Sequence, residues 1–336
     1  MSMDFLDELQ WRGMLHQTTA DEALPLHLSG NMRVGYCGFD PTSDSLTIGN
    51  LVAIMLLARW QRCGHKPIVL CGGGTGLIGD PSGKDSERTL QTRDQVEANV
   101  ASQQAIFGRI LDFDSGKPNA AEIVNNADWL CELGYLDVLR DVGKYFSVNA
   151  MIQKDSVRDR LQNREQGISY TEFSYMLLQA NDFVELFDGY GCEMQVGGSD
   201  QWGNITAGID MVRRRFSTPA FGLTVPLITR ADGAKFGKSA EGAVYLSPTK
   251  TLPYEFHQYF LRTDDRDAER FLLQLTLLSV GEVAAIMSTH NDAPEQRVAQ
   301  SALADAVTEL IHGPAEVRKA RLAAGALFGG GGLDAE

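Results

Sequence analysis

Apolar positions along the first third of the chain follow two different periods. "RVGYCGF", Arg33 to Phe39, and "KPIVLC", Lys66 to Cys71, are short apolar runs, while Leu46 to Cys63 repeats its apolar residues at three- and four-residue steps. The runs read as buried strands and the stretch between them as an amphipathic helix. Short helices are expected at Asp4–Leu15 and Asp21–Leu28, and further strands near Ile123–Asn125, Cys192–Val196 and Phe221–Ile228, with helices between. Such alternation implies an α/β fold, a parallel sheet covered by helices, with ligands at the carboxyl ends of the strands. After Leu246 only helical periodicity remains, broken at "TDD", "SVGE" and "HGPAE". Ser279 and Glu282 have capping-box spacing, and Pro314 suits a first helical turn. The expected organisation is an α/β domain over residues 1–246 that includes the N-terminal helices, a helical domain over 247–328, and a flexible glycine linker over 329–336.

Composition narrows the class only a little. A chain of 336 residues, 43% of them hydrophobic, can form about two domains of roughly 100 to 200 residues each. The N-terminus lacks the basic flank and apolar run of a signal peptide, and no apolar segment reaches the roughly 18 residues of a membrane span. Five scattered cysteines, none in a Cys-x-x-Cys pair, suggest neither a disulfide framework nor a metal site held by the protein, and fit a cytoplasmic location. A net charge of -14 argues against a general nucleic-acid coat, although a local basic stripe can coexist with it.

Five stretches carry the candidate chemistry. "YCGFDPTSDSLTIGN", Tyr36 to Asn50, reads as strand, turn and first helical turn, a junction whose free N–H groups favour a phosphate. "GTGLIG", Gly74 to Gly79, matches a dinucleotide fingerprint, but "DPSGK" follows, and Pro81 and Gly83 stop the helix which that motif needs. It reads equally as a binding loop or a glycine-rich turn, with Asp80 and Lys84 favouring binding. "GGSDQWGN", Gly197 to Asn204, presents Asp200 and Gln201 at a strand end, suited to ribose hydroxyls or a polar head group. "SYTEFSYMLLQANDF" sets Tyr175, Gln179 and Asp182 on one helix face, as ligand contacts or as a satisfied core network. "KFGKS", Lys235 to Ser239, offers two lysines around a glycine, able to wrap a polyphosphate; a solvated surface turn is the plainer alternative.

Taken together and in this order, "YCGFDPT", "GLIGDPSGK", "TEFSYMLLQ", "GGSDQWGNIT" and "KFGKS" make the chain resemble the bacterial tyrosyl-tRNA synthetases of class I, from Asp4 to about Phe328. The resemblance implies a Rossmann-like catalytic domain, a helical domain on the anticodon side and a homodimer. It also implies two steps, in which tyrosine and ATP give tyrosyl-adenylate and pyrophosphate, and the tyrosyl group then passes to the 3' end of tRNA(Tyr). Residue by residue, it puts Tyr36 and Asp182 at the substrate phenol, Asp80, Tyr175 and Gln179 around its ammonium group, and Gln201 at its carboxylate. Gly38, Asp40, Gly49, Asn50, Gly198, Asp200, Leu227 and Ile228 would meet ATP. Thr42, Thr47, Lys84, Arg88, Lys235 and Lys238 would hold its triphosphate, with Mg2+ arriving on the ATP. Where the family has His-x-Gly-His, this chain has Thr47-Ile48-Gly49-Asn50.

Three other readings differ in class: a tryptophanyl relative, which Tyr36 and Asp182 oppose; a catalytically dead synthetase-like protein, favoured only by Thr47 and Asn50; and a dinucleotide oxidoreductase, opposed by the broken helix after Gly79. Family chains usually continue into a small RNA-binding domain, which this chain is expected to lack. An acceptor-stem surface is expected from Lys144, Lys154, Arg158, Arg160 and Arg164 with Arg213 to Arg215.

Overall fold

The computed structural model describes residues 4–82, 90–163, 167–233, 236–239 and 242–328. The chain packs as two compact units, one of residues 1–44, 56–104 and 111–227, the other of 45–55, 105–110 and 228–336. The second unit thus starts earlier than the composition change at Leu246 and takes in the first turns of the helix Ile48–Arg62.

The first unit is built on a six-stranded sheet: β1 (Gln17–Thr18), β2 (Val34–Phe39), β3 (Lys66–Cys71), β4 (Glu122–Asn125), β5 (Cys192–Gly198) and β6 (Phe221–Val225), in the spatial order β1-β6-β5-β2-β3-β4. β2 to β6 are parallel, and the two-residue β1 pairs antiparallel with β6 at the edge. Strands β2, β3, β5 and β6 are almost wholly buried, which is why they read as unbroken apolar runs. Chain order reverses at β2, which lies between β3 and β5, and such a switch point is where an open α/β sheet opens a crevice for ligands.

Two helices set the crevice walls. Tyr170–Tyr190 starts at Ser169, whose hydroxyl accepts from the Glu172 N–H, and stops at Gly191 in the left-handed conformation. Trp202–Phe216 follows β5 after a single 3-10 turn at Ser199–Gln201 and packs on β5, β6 and the first helix. The loop after β3 is shaped by close approach: a Cβ at Gly72 would collide with Asp40 Oδ1 and Thr75 Oγ1, so only glycine fits beneath that network. Thr75–Leu77 is one 3-10 turn, and the described residues from Gly79 to Ser82 form no helix.

In the second unit the described residues from Pro253 form five α-helices: Pro253–Leu261, Asp265–Leu275, Val280–Asp292, Val298–His312 and Pro314–Phe328. Ser279 and Glu282 make the expected reciprocal cap, and the last helix begins at Pro314. Phe256, Phe260, Phe271, Leu303 and Val307 lie in its core. A short hairpin, Lys238–Ser239 with Gly242–Ala243, precedes these helices.

Candidate active site

In the first unit the carboxyl ends of β2, β3, β4 and β5 bring one polar network together. Tyr36, on β2, is fully buried, and its hydroxyl has no partner among the described residues. Asp182, 1% exposed on the helix Tyr170–Tyr190, lies near enough for its charge to act on the Tyr36 phenol. The Trp129 Nε1–H donates to its Oδ1 at 2.8 Å and the Asn126 amide to its Oδ2 at 2.9 Å. Burial pushes the Asp182 carboxyl up to about 7, against the pull of those two bonds, and Asp40 adds to the rise. Burial, then the Asp182 charge, also lifts the Tyr36 phenol well above its usual range. A buried carboxylate beside a buried hydroxyl that lacks a partner calls for a ligand hydroxyl.

Asn126 is the hub of this network. Its carbonyl accepts from the Gly74 N–H at 2.7 Å, and its NH2 reaches both Asp182 and Thr75 Oγ1. Thr75 in turn donates to Asp40 Oδ1 at 2.8 Å, and the Tyr175 hydroxyl donates to Asp40 Oδ2 at 3.0 Å. Burial, followed by the charges of Asp40 and Asp80, raises the Tyr175 phenol. Asp80, also buried, accepts from the Ser82 N–H at 2.9 Å and from Gln201 Nε2 at 2.7 Å. Gln201 Oε1 accepts from Gln179 and Asn204, and its amide also reaches Asp200 Oδ2 at 3.3 Å. Carboxylates of Asp40, Asp80, Asp182 and Asp200 thus line one small region, a field suited to a cationic group. Gly38 is exposed on β2, Gly198 ends β5, and Leu227 is exposed beside Gly198. Thr42 is exposed just beyond Asp40, and its carbonyl accepts from Gln91.

The second unit holds the other motifs. The N–H and the hydroxyl of Thr47 both donate to Asn50 Oδ1 at 2.9 Å, so the carbonyl of Asn50 closes the first helical turn. That leaves the Asn50 NH2 without a partner among the described residues. Gly49 is exposed, and Thr47 bridges to Tyr245. The Ile48 N–H donates to the Val244 carbonyl, and the Val244 N–H to that of Gly237, so backbone bonds tie the Thr47–Asn50 turn to the centre of "KFGKS". Ile228 is half-buried in this unit. Lys84, Arg88 and Lys235 lie outside the described residues, and Lys238 is described only as backbone in the hairpin.

Sequence reasoning missed Asn126, Trp129, Thr75 and Asn204. Asn125 and Asn126 stand where β4 ends, and a polar pair at the end of a buried strand was the available signal. The expected basic surface needs correction at Arg160, which is 4% exposed and forms a buried ion pair with Glu172. Lys154 is half-buried, and its amine donates to Thr206 Oγ1 at 2.8 Å. Arg158 and Arg213 to Arg215 are exposed, with Arg213 and Arg214 paired to Asp210, and Arg164 lies outside the described residues.

Comparison with known proteins places these features among relatives. The family model described as tRNA synthetases class I (W and Y) matches residues 30–329. The chain is 53% identical over 329 residues to the tyrosine–tRNA ligase of Bacillus caldotenax, covering 98% of this chain and 78% of that protein. It is 52% identical to the tyrosine–tRNA ligase of Opitutus terrae, over 98% of this chain and 77% of that one. Among solved structures, a C-terminally truncated mitochondrial tyrosyl-tRNA synthetase of Aspergillus nidulans is similar with a TM-score of 0.85 at 31% identity, covering 97% of this chain and 94% of that one.

Proposed function

The chain belongs to the class I tRNA synthetases for tryptophan and tyrosine, with the activity of a tyrosine–tRNA ligase, and from that premise we propose how its residues carry out the reaction. Tyrosine enters the pocket of the first unit with its phenol between Tyr36 and Asp182. Its ammonium group meets Asp80, Tyr175 and Gln179, and its carboxylate meets Gln201. The observation that carries this reading is the pairing of Asp182, held by Trp129 and Asn126, with a Tyr36 hydroxyl that has no partner among the described residues. A ligand without a phenol hydroxyl would leave the buried Tyr36 hydroxyl without a partner and Asp182 with only its Trp129 and Asn126 donors.

Activation uses no enzyme nucleophile. A carboxylate oxygen of tyrosine attacks the α-phosphorus of ATP, the bond to the β-phosphate oxygen breaks, and pyrophosphate leaves. Catalysis is therefore positioning and charge stabilisation. Gly38, Asp40, Gly49, Asn50, Gly198 and Asp200 take the ribose and neighbouring parts of ATP, and Leu227 and Ile228 the adenine. Thr42, Thr47, Lys84, Arg88, Lys235 and Lys238 hold the triphosphate, which arrives with Mg2+ as part of the substrate. In the second step a ribose hydroxyl at the tRNA end attacks the tyrosyl carbonyl and AMP departs.

The same reading includes a cytoplasmic homodimer. It is supported by large apolar side chains exposed between Leu133 and Tyr170, among them Tyr135 at 65%, Leu136 at 75% and Val148 at 58%. Arg158 and Arg213 to Arg215 offer charge for an RNA backbone. ATP–pyrophosphate exchange tests the assignment: tyrosine supports exchange and phenylalanine does not. Equal exchange with both amino acids would refute the phenol pocket.

A further inference from the structure

The centre of the lysine loop is held from three sides within the second unit. The Phe236 side chain is buried, its ring 4.8 Å from that of Phe271 and 6.1 Å from that of Tyr259, centroid to centroid. Gly237 adopts the left-handed conformation at φ +92°. Its carbonyl accepts from the Val244 N–H at 2.9 Å, and its own N–H donates to the Tyr259 hydroxyl oxygen at 3.2 Å. A Cβ on Gly237 would lie 3.3 Å from Ile48 Cγ1 and 3.5 Å from the Gly49 nitrogen, so this point of the loop rests on the Thr47–Asn50 turn.

Of the three restraints, the Phe236 packing and the Val244 bond need only an apolar ring and the backbone. The bond from Gly237 depends on one side-chain atom that no family motif contains. We propose that Tyr259 is a positioning residue for tyrosine activation, its hydroxyl fixing Gly237 and with it the course of the chain between Lys235 and Lys238. This rests on the reading that those lysines act on the departing pyrophosphate. Burial holds the phenol above its usual range, so this anchor is a neutral hydroxyl whose oxygen accepts from the N–H. A short anchor on a glycine in a left-handed turn lets the loop keep one path as phosphate charge shifts, and positioning of that kind acts on the rate rather than on amino-acid affinity.

The test is single-turnover formation of tyrosyl-adenylate, with tyrosine affinity measured alongside, in the parent, Tyr259→Phe, Lys238→Ala and the double variant. Tyr259→Phe keeps the ring that packs on Phe236. It should form adenylate about three- to tenfold more slowly, the scale of one neutral hydrogen bond, with tyrosine affinity unchanged. In the Lys238→Ala background the same substitution should cost little more, because both act through the loop. An undiminished rate in Tyr259→Phe, or the same loss in both backgrounds, would overturn the proposal. Lys238→Ala running at the parent's rate would instead overturn the reading of the lysine loop on which it rests.

Discussion

Replacing Trp129 by phenylalanine probes the phenol pocket at a residue outside the recognised motifs. The substitution keeps an aromatic ring and removes the 2.8 Å bond from Nε1–H to Asp182 Oδ1, leaving Asn126 as the other donor. A hydrogen bond to a charged group contributes roughly 1.5 to 3 kcal/mol, so its loss should raise the Asp182 carboxyl by roughly one to two pH units. In the parent that carboxyl lies at about 7, so it is half ionised at neutral pH. In the variant, ionisation at pH 7 would fall to roughly a tenth or a hundredth, and tyrosine affinity by roughly five- to fiftyfold. The deficit should close as pH rises towards 9, because the carboxylate returns. Equilibrium binding of tyrosine to both proteins from pH 6 to 9 measures this. A deficit that stayed constant with pH would show that Trp129 acts by shape alone, and no deficit would show that its bond to Asp182 does not matter.

The same carboxyl makes stability depend on pH. It rises from 3.8 to about 7 on folding, so between those values the native state keeps a proton that the unfolded chain has lost. Its stabilising contribution is complete below pH about 4 and gone once pH passes about 7. The melting temperature of the parent minus that of Asp182→Asn should therefore fall between pH 4 and 7.5; a constant difference would contradict the burial argument. Thr47→Ala should slow single-turnover adenylate formation by roughly tenfold with tyrosine affinity unchanged, because it removes the hydroxyl proposed for the triphosphate and leaves the Asn50 carbonyl held by the Thr47 N–H alone. Equal rates would reduce Thr47 to a helix cap.

The parallel strands were legible because each is buried on both faces and so writes an apolar run into the chain. β1 was not: Gln17-Thr18 is two polar residues whose strand character comes only from pairing with Leu223 and Thr224, about two hundred positions away. Tyr36 could be singled out through "YCGFDPT" and Asp182 through its helix-face spacing with Tyr175 and Gln179, whereas Asn126 and Trp129 gain their meaning from Asp182, more than fifty positions further on. No local pattern carries that information. Arg160 looked like part of a basic surface because its neighbours are charged, and only folding reveals Glu172 against it in the interior. The Thr47–Asn50 pair was legible as spacing, but that Asn50 would take both the N–H and the hydroxyl of Thr47 was not.

One bond among these polar groups bears on what kind of amino acid the site can accept. The Gln201 amide donates to Asp80 at 2.7 Å, so the group proposed for the substrate's carboxylate is joined to the group proposed for its ammonium. When tyrosine binds in these roles, the ammonium takes over the Asp80 oxygen and the amide is released towards the incoming carboxylate. Each charge of the ligand thus supplies the partner that the other displaces. An amine without its acid would leave the amide only its longer 3.3 Å bond to Asp200, and an acid without its amine would have to pull Gln201 from an Asp80 carboxylate left with the Ser82 N–H as its donor. In these proposed roles the pocket would recognise the zwitterion as a unit, the two halves of the head group binding cooperatively through a single glutamine.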